Sequence, residues 1–330
     1  MNKILITGGS GFIGTNFIDY IKVFDYEVLN LDILPPRNKN HKHLWVKVDI
    51  CDKDRLKEAV LKFMPDYIIH LAARTDLDEK LNIEGYNANI IGVENIMDVA
   101  NSITNLKRIV VASSMLVNKV GDVPNGFNDY SPNSLYGESK VLTEKIVKKF
   151  KLDWVIVRPT SIWGPWFAQP YYNFFNLVLK GYYVNLPTKK ASTKTYGYVI
   201  NTCYQIQTIL MSDLPEVKNN YYYLGDKTPV NITDWSNLIR KVINEKKLIT
   251  VPIFVIKIAS VFGDKLSSLF GFNRFPLNSF RYKNMTTNNV ILDLARTDYI
   301  APNVPYEKLE DCVKGTIHWI ENREQPVKTN

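Results

Sequence analysis

The chain has 330 residues and a mass of 38.0 kDa, about twice a usual domain of roughly 150 residues, so two lobes are expected. Apolar residues at 45% and charged residues at 22% are ordinary for a packed protein, and exclude a disordered chain, a collagen and a disulfide-stapled mini-protein. Lysine plus arginine is 41 against 33 for aspartate plus glutamate, a net +8 that suits anionic partners; with no RRM, zinc-finger or basic-region pattern beside it, nucleic acid is not expected.

In chain order, residues 3–7 form an apolar run that ends in glycines and predicts a strand, and residues 12–21 carry apolar side chains at helical spacing. Strands are expected at 26–31 and 44–48. A helix over 53–63 is stopped by Pro65, and a strand follows at 67–71. A helix at 86–100, a strand at 108–112, a lysine-rich amphipathic helix at 136–150 and a strand at 154–157 complete the series. Strands alternating with helices imply parallel crossovers, hence a Rossmann-type, doubly wound parallel α/β sheet. Its strands read as continuous apolar runs, as both-face burial requires. Beyond Arg158-Pro159 the chain grows richer in aromatics, proline and asparagine. The first domain is therefore drawn over 1–165 with a return segment at about 195–225. A smaller C-terminal substrate lobe takes 166–194 and 226–330, placed at the carboxyl edge of the sheet where ligands bind in such folds.

Cys51, Cys203 and Cys312 are odd in number and far apart, with no CxxC pair, so neither a disulfide framework nor a cysteine zinc site is expected. His41 and His43 read as a solvated loop and His70 as a structural residue inside a strand; no metal is predicted. The opening Met-Asn-Lys lacks a signal-peptide layout, and the apolar stretch 253–269 carries Lys257, Asp264 and Lys265, too short and too charged to span a bilayer. A cytoplasmic protein without membrane insertion is expected.

Gly8-Gly9-Ser10-Gly11-Phe12-Ile13-Gly14 lies between the first strand and the first helix. Gly8 permits a tight turn, Gly11 lets backbone N–H groups approach a pyrophosphate, and Gly14 lets the helix pack closely on the sheet. The helix N-terminus adds its positive end. Asp32 closes the second strand 18 residues past Gly14, where a carboxylate accepts hydrogen bonds from an adenosine ribose and repels a 2′-phosphate. Arg37 lies past Pro35-Pro36, so NAD is favoured over NADP.

Tyr136 and Lys140 form a YxxxK pair whose i, i+4 spacing places both side chains on one helical face. A nearby ammonium is expected to lower the phenol pKa from its usual value near 10, readying the tyrosine to take a proton from a substrate hydroxyl. The chain has 19 tyrosines, and a chance match at Tyr223 and Lys227 crosses Gly225, so it is not expected to share a helical face. Ser113-Ser114 ends the strand at 108–112, within reach of the same substrate atom. Trp163 and Trp166 flank Gly164-Pro165, either packed inside or stacked on a ligand.

Taken together, residues 7–14, Leu71-Ala72-Ala73, Ser113-Ser114, Tyr136 to Lys140, and Arg158-Pro159 with Gly164-Pro165 resemble the extended short-chain dehydrogenase/reductase superfamily, and within it the nucleotide-sugar epimerases and dehydratases. The resemblance runs in order over roughly residues 1–230. It implies a Ser114–Tyr136–Lys140 triad, with Asp49-Ile50 beside the adenine. Leu71, Ala72 and Ala73 would line the cofactor channel, joined by Asn89, Ser113 and Pro159 as cofactor contacts. It further implies Thr75, Ser114, Ser161, Lys194 and Arg281 as contacts of a nucleotide-diphosphate sugar, and a homodimer built on the helix of Tyr136.

Two departures narrow the chemistry. The family's dehydratases carry Asp-Glu after the hydroxyl residue and its decarboxylases a neighbouring glutamate, whereas Ser114 is followed by Met115-Leu116, which transfer no protons. Ser161 replaces the usual asparagine and Lys194 the usual arginine, a point charge in place of a bidentate fork. The reading is an NAD-dependent nucleotide-sugar epimerase working by hydride transfer at a sugar carbon, C4 by resemblance, through a keto intermediate. The alternatives are a dehydrogenase or ketoreductase of a nucleotide-linked sugar or another ketone, and a non-catalytic dinucleotide-binding protein. Cell-surface polysaccharide synthesis is the expected setting.

Overall fold

Lys3 to Thr7 form a strand because Ile4, Leu5 and Ile6 have helices to bury them on both faces of a sheet; all three are fully buried. In the computed structural model, which describes residues 1–77, 79, 81–270 and 278–322, this strand β1 (Asn2–Thr7) runs into α1 (Phe12–Ile21). There follow β2 (Tyr26–Asp32), β3 (Trp45–Lys47), α2 (Lys53–Phe63), β4 (Tyr67–His70), α3 (Asn87–Asn101), β5 (Arg108–Ala112), α4 (Leu135–Val147) and β6 (Trp154–Pro159). With the strand Asn220–Leu224 they make a seven-stranded parallel sheet in the order 220–224, β6, β5, β4, β1, β2, β3. The doubly wound sheet expected from the alternation is present, with element ends unmoved or moved by up to three residues. Strand order reverses between β1 and β4, which opens a crevice at their carboxyl ends.

The chain divides into two compact units: Met1–Trp166 with Gly197–Lys227 and Leu292–Tyr306, and Phe167–Tyr196 with Thr228–Ile291 and Glu307–Asn330. One segment departs from the sequence reading, which assigned all of 226–330 to the smaller lobe. Leu292–Tyr306 joins the first unit because Tyr221 donates to Asp293 at 2.8 Å and Thr297 Oγ1 donates to the Tyr223 carbonyl at 2.6 Å. In the first unit Ile4, Ile6, Phe17, Ile69, Val110, Val155 and Val157 pack with the helix Val199–Met211 in one apolar core. Each such side chain contributes roughly 1.5–3 kcal/mol on leaving water.

The second unit is helical, with a two-stranded antiparallel pair of Thr193–Lys194 and Val230–Asn231. Its centre is Trp235, fully buried and ringed by Tyr171, Phe174, Phe175 and Tyr196 at centroid distances of 4.7–6.2 Å. A second apolar cluster gathers Leu186, Ala191, Ile256 and Met285.

Candidate active site

The glycine turn is fixed by steric contact. Gly8 sits at φ +76, and a Cβ on it would lie 2.5 Å from the Ala72 nitrogen. On Gly14 a Cβ would lie 2.4 Å from the Gly8 carbonyl oxygen, so the start of α1 rests directly on the turn. No side chain caps α1 at Gly11 and its first turn holds no acid, which leaves N–H groups of Phe12, Ile13 and Gly14 facing outward from a positive helix end. Asp32 accepts from the backbone N–H groups of Ser10 and Leu34, both at 3.0 Å. Burial pushes its carboxyl up, while these amides, the Ile33 amide and the Arg37 charge pull it back. Asn30 Nδ2 donates to Ser10 Oγ at 3.1 Å, so the hydroxyl of the turn is held by the neighbouring strand. A turn that excludes any Cβ, an uncapped helix end and a braced carboxylate fit a dinucleotide's pyrophosphate and ribose.

The other cofactor candidates fall into two groups. Leu71 and Ala72 follow the end of β4 and reach back to Thr7, through Leu71 N–H to the Thr7 carbonyl at 2.9 Å and Ala72 N–H to Thr7 Oγ1 at 3.4 Å. Ala73 and Pro159 are half-buried. Ile50 is buried against Gly92, whose absent Cβ makes room for it. Asp49 is exposed and accepts from the Cys51 N–H at 2.9 Å, closing a turn. Asn89 and Ser113 are engaged elsewhere. Asn89 clamps Arg74 through both its amide atoms, at 2.8 and 2.9 Å, and donates to Ser139. Ser113 Oγ donates to Glu144 at 2.7 Å. In this structure their side chains brace the protein.

The Tyr136 hydroxyl is buried and hydrogen-bonded to Ser114. Burial raises the phenol to about 12, Ser114 works against that rise, and the neighbouring Tyr86 adds to it. Here the sequence expectation is corrected. Lys140 was to lower the phenol, but its Nζ donates to the Ala112 carbonyl at 2.9 Å, and burial brings its own pKa down to about 8. Ser114 is the group that favours the phenolate. Ser114 Oγ also accepts from the Leu116 N–H at 3.1 Å, which fixes its direction at the end of β5. The chance pair behaves as its spacing predicts: Tyr223 lies in a strand and Lys227 is exposed, 3.9 Å from Asp298.

Two features stand around this cluster, the first at the histidine that the sequence reads as structural and the second one that sequence reasoning missed. His70 is fully buried at the end of β4; Thr7 Oγ1 lies 2.7 Å from its Nδ1, and its Nε2 meets no partner among the described residues. Burial, and then the Lys140 charge, drive His70 down to about 3, so it is neutral. The second is an ion pair with no exposure at all, Arg158 with Glu144 at 2.8 Å on both guanidinium branches. Ser113, Tyr130 and Tyr223 also bind it, and the guanidinium lies 4.7 Å from the Tyr221 ring centroid. Glu144 stands one helical turn after Lys140, and that i, i+4 spacing was the available signal.

Thr75 is exposed and Ser161 half-buried, both in the first unit. In the second unit Lys194 is buried, donates to Asn284 Oδ1 at 3.3 Å, and is lowered to about 8 by burial. Asn284 and Arg281 share the helix Ser279–Thr286, so this unit brings two of the predicted anion contacts to one short helix. Trp163 is fully buried against Tyr198, while His41 is buried and paired with Asp19 at 3.1 Å rather than solvated.

Comparison with known proteins gives the chain's family and fold. The chain is 26% identical over 252 residues to the 3 beta-hydroxysteroid dehydrogenase/Delta 5-->4-isomerase of Mycobacterium tuberculosis, covering 72% of this chain and 68% of that protein. It is 31% identical over 173 residues to a putative UDP-glucose 4-epimerase of Methanocaldococcus jannaschii, over 49% of this chain and 56% of the relative. Its fold is similar to the crystal structure of UDP-glucose 4-epimerase from Thermotoga maritima with UDP-glucose, at a TM-score of 0.73 and 19% identity over 97% of this chain and 98% of that one. The family model described as NAD dependent epimerase/dehydratase family matches residues 4–195. With more than half of the chain matched, and the glycine turn, Ser114, Tyr136 and Lys140 inside the match, the protein belongs to the NAD-dependent epimerase/dehydratase family.

Proposed function

We propose that the protein is an NAD-dependent epimerase of a nucleotide-diphosphate sugar, acting at a sugar carbon, C4 by similarity, through a keto intermediate. The observation that carries this reading is the buried Ser114–Tyr136 hydrogen bond at the end of β5, beside the Lys140 ammonium that Ala112 anchors. NAD, when bound, supplies a hydride acceptor and a positive ring. Tyr136 takes the proton of the substrate hydroxyl, Ser114 orients that hydroxyl and steadies the phenolate, and Lys140, tied to the Ala112 carbonyl, holds the end of β5 that carries Ser114. On the return step Tyr136 gives the proton back. Ser10, Gly11, Phe12, Ile13 and Asp32 hold the dinucleotide, and Asp32 favours a free 2′-hydroxyl. Met115 and Leu116 offer no acid or base for water elimination, which supports epimerisation over dehydration.

Lys194 and Arg281 are assigned to the diphosphate, Thr75 and Ser161 to the sugar. Exposed Ile91 on α3 and Leu142 on α4 support pairing of two copies through those helices. A cytoplasmic setting in polysaccharide synthesis completes the proposal. A second reading, net oxidation or reduction of a ketone, is supported by the similarity to the steroid dehydrogenase. The test is a panel of UDP- and dTDP-sugars with NAD, followed by NADH absorbance and by separation of sugar isomers. Isomer formation without lasting NADH supports epimerisation, steady NADH supports the second reading, and neither with any sugar contradicts both.

A further inference from the structure

The helix Ile253–Phe270 of the second unit turns an apolar side to water. Phe254, Val255, Ile258, Val261 and Phe262 are all exposed, the two phenylalanines at 63% and 62%. At 3.6 residues per turn these five share one arc, while buried Ile256, Ser260 and Gly263 face the unit's interior. A contiguous exposed apolar arc of this kind marks an interaction surface. Lys257 borders it and Lys265 stands at its C-terminal end; both are exposed, and neither is in an ion pair among the described residues. The one acid of the helix, Asp264, is taken up by Ser279, whose N–H donates at 3.2 Å and whose hydroxyl also donates.

Charge singles out the occupant. The second unit holds 17 lysines and arginines against 8 aspartates and glutamates, a net +9, and the first unit holds 24 against 25, a net −1. All of the chain's positive excess therefore lies in the unit that bears this helix. A second copy seated on the arc would set Lys257 and Lys265 of both copies, and two units of +9, against each other. Apart from the lysines, the exposed side chains described on the arc are all apolar, so it selects by apolar burial and by negative charge. We propose that this face docks the protein on an anionic lipid surface. The phenylalanines, isoleucine and valines enter the boundary of the headgroup layer, and the lysine stems extend so that their ammonium groups meet lipid phosphates. The helix lies on the surface; among the described residues no helix is long and apolar enough to cross a membrane.

The test is co-sedimentation of the full-length protein, saturated with NAD, with vesicles of phosphatidylcholine alone or with about one-third phosphatidylglycerol. Binding is expected only with phosphatidylglycerol, weakening at high salt. Lys257→Glu with Lys265→Glu, and separately Phe254→Ser with Phe262→Ser, are each expected to weaken it by about tenfold or more while NAD affinity stays unchanged. Should the phenylalanine variant fold poorly, the lysine variant carries the test alone. The proposal is overturned by no binding to the anionic vesicles, by equal binding to both compositions, or by lysine variants that bind as the parent does. It is overturned equally if the phenylalanine variant halves the protein's mass in solution, which would make the face a contact between copies.

Discussion

The two units offer a negative ligand different physics. The first has almost no net charge, and its candidate dinucleotide site is built from backbone: a turn at φ +76 with no space for a Cβ, and an uncapped helix end. The second carries the chain's positive excess on lysine and arginine side chains, with Lys194 buried beside Asn284. Backbone recognition is set by packing and indifferent to pH. Side-chain recognition depends on protonation and salt. The difference tells which substitutions act by shape and which by charge.

The sharpest way to break the contrast lies in the first unit. Tyr136→Phe should lower turnover by about a hundredfold to ten-thousandfold with NAD affinity unchanged, read by steady-state kinetics beside NAD titration; unaltered turnover would remove Tyr136 from the chemistry. Next is the buried pair. Arg158→Met leaves the buried Glu144 without its partner and should cost about 3–5 kcal/mol in urea unfolding. Gly14→Ala forces a methyl against the Gly8 carbonyl and should cost about 1–3 kcal/mol, with NAD binding falling in step. Asp32→Ser removes the ribose acceptor and should weaken NAD roughly tenfold, narrowing the preference over NADP.

The smallest effect belongs to the second unit. Lys194 is lowered to about 8 from its ordinary 10.5, so it is charged below pH 8 and loses its proton as pH rises through that value. KM for a nucleotide sugar should climb roughly fivefold above pH 8, and Lys194→Arg, which stays charged, should abolish the climb. A flat KM profile in the parent would take Lys194 out of diphosphate binding.

How much of this was legible follows the range of the interactions. Strands, helices and the glycine turn are local patterns, and β1, α1, α2 and β5 lie within a residue of where periodicity places them. The Tyr136–Lys140 spacing is equally local. The Glu144–Arg158–Ser113 network joins residues 14 and 31 apart, and Arg158 reads in sequence only as half of an Arg-Pro motif. Whether Lys140 acts on Tyr136 or on a carbonyl of β5 depends on burial, which spacing does not encode. His41 reads as loop because its partner, Asp19, sits 22 residues away on α1. The stretch 253–269 reads as apolar, but only the packed unit reveals that Phe254 and Phe262 point outward.

The central claim is hydride transfer at a sugar carbon, and isotope retention tests it most directly. A nucleotide sugar carrying deuterium at C4, turned over with NAD in ordinary water, should give the epimer with the deuterium kept at C4. Loss of the label to solvent would show proton abstraction from carbon instead, and would contradict the account.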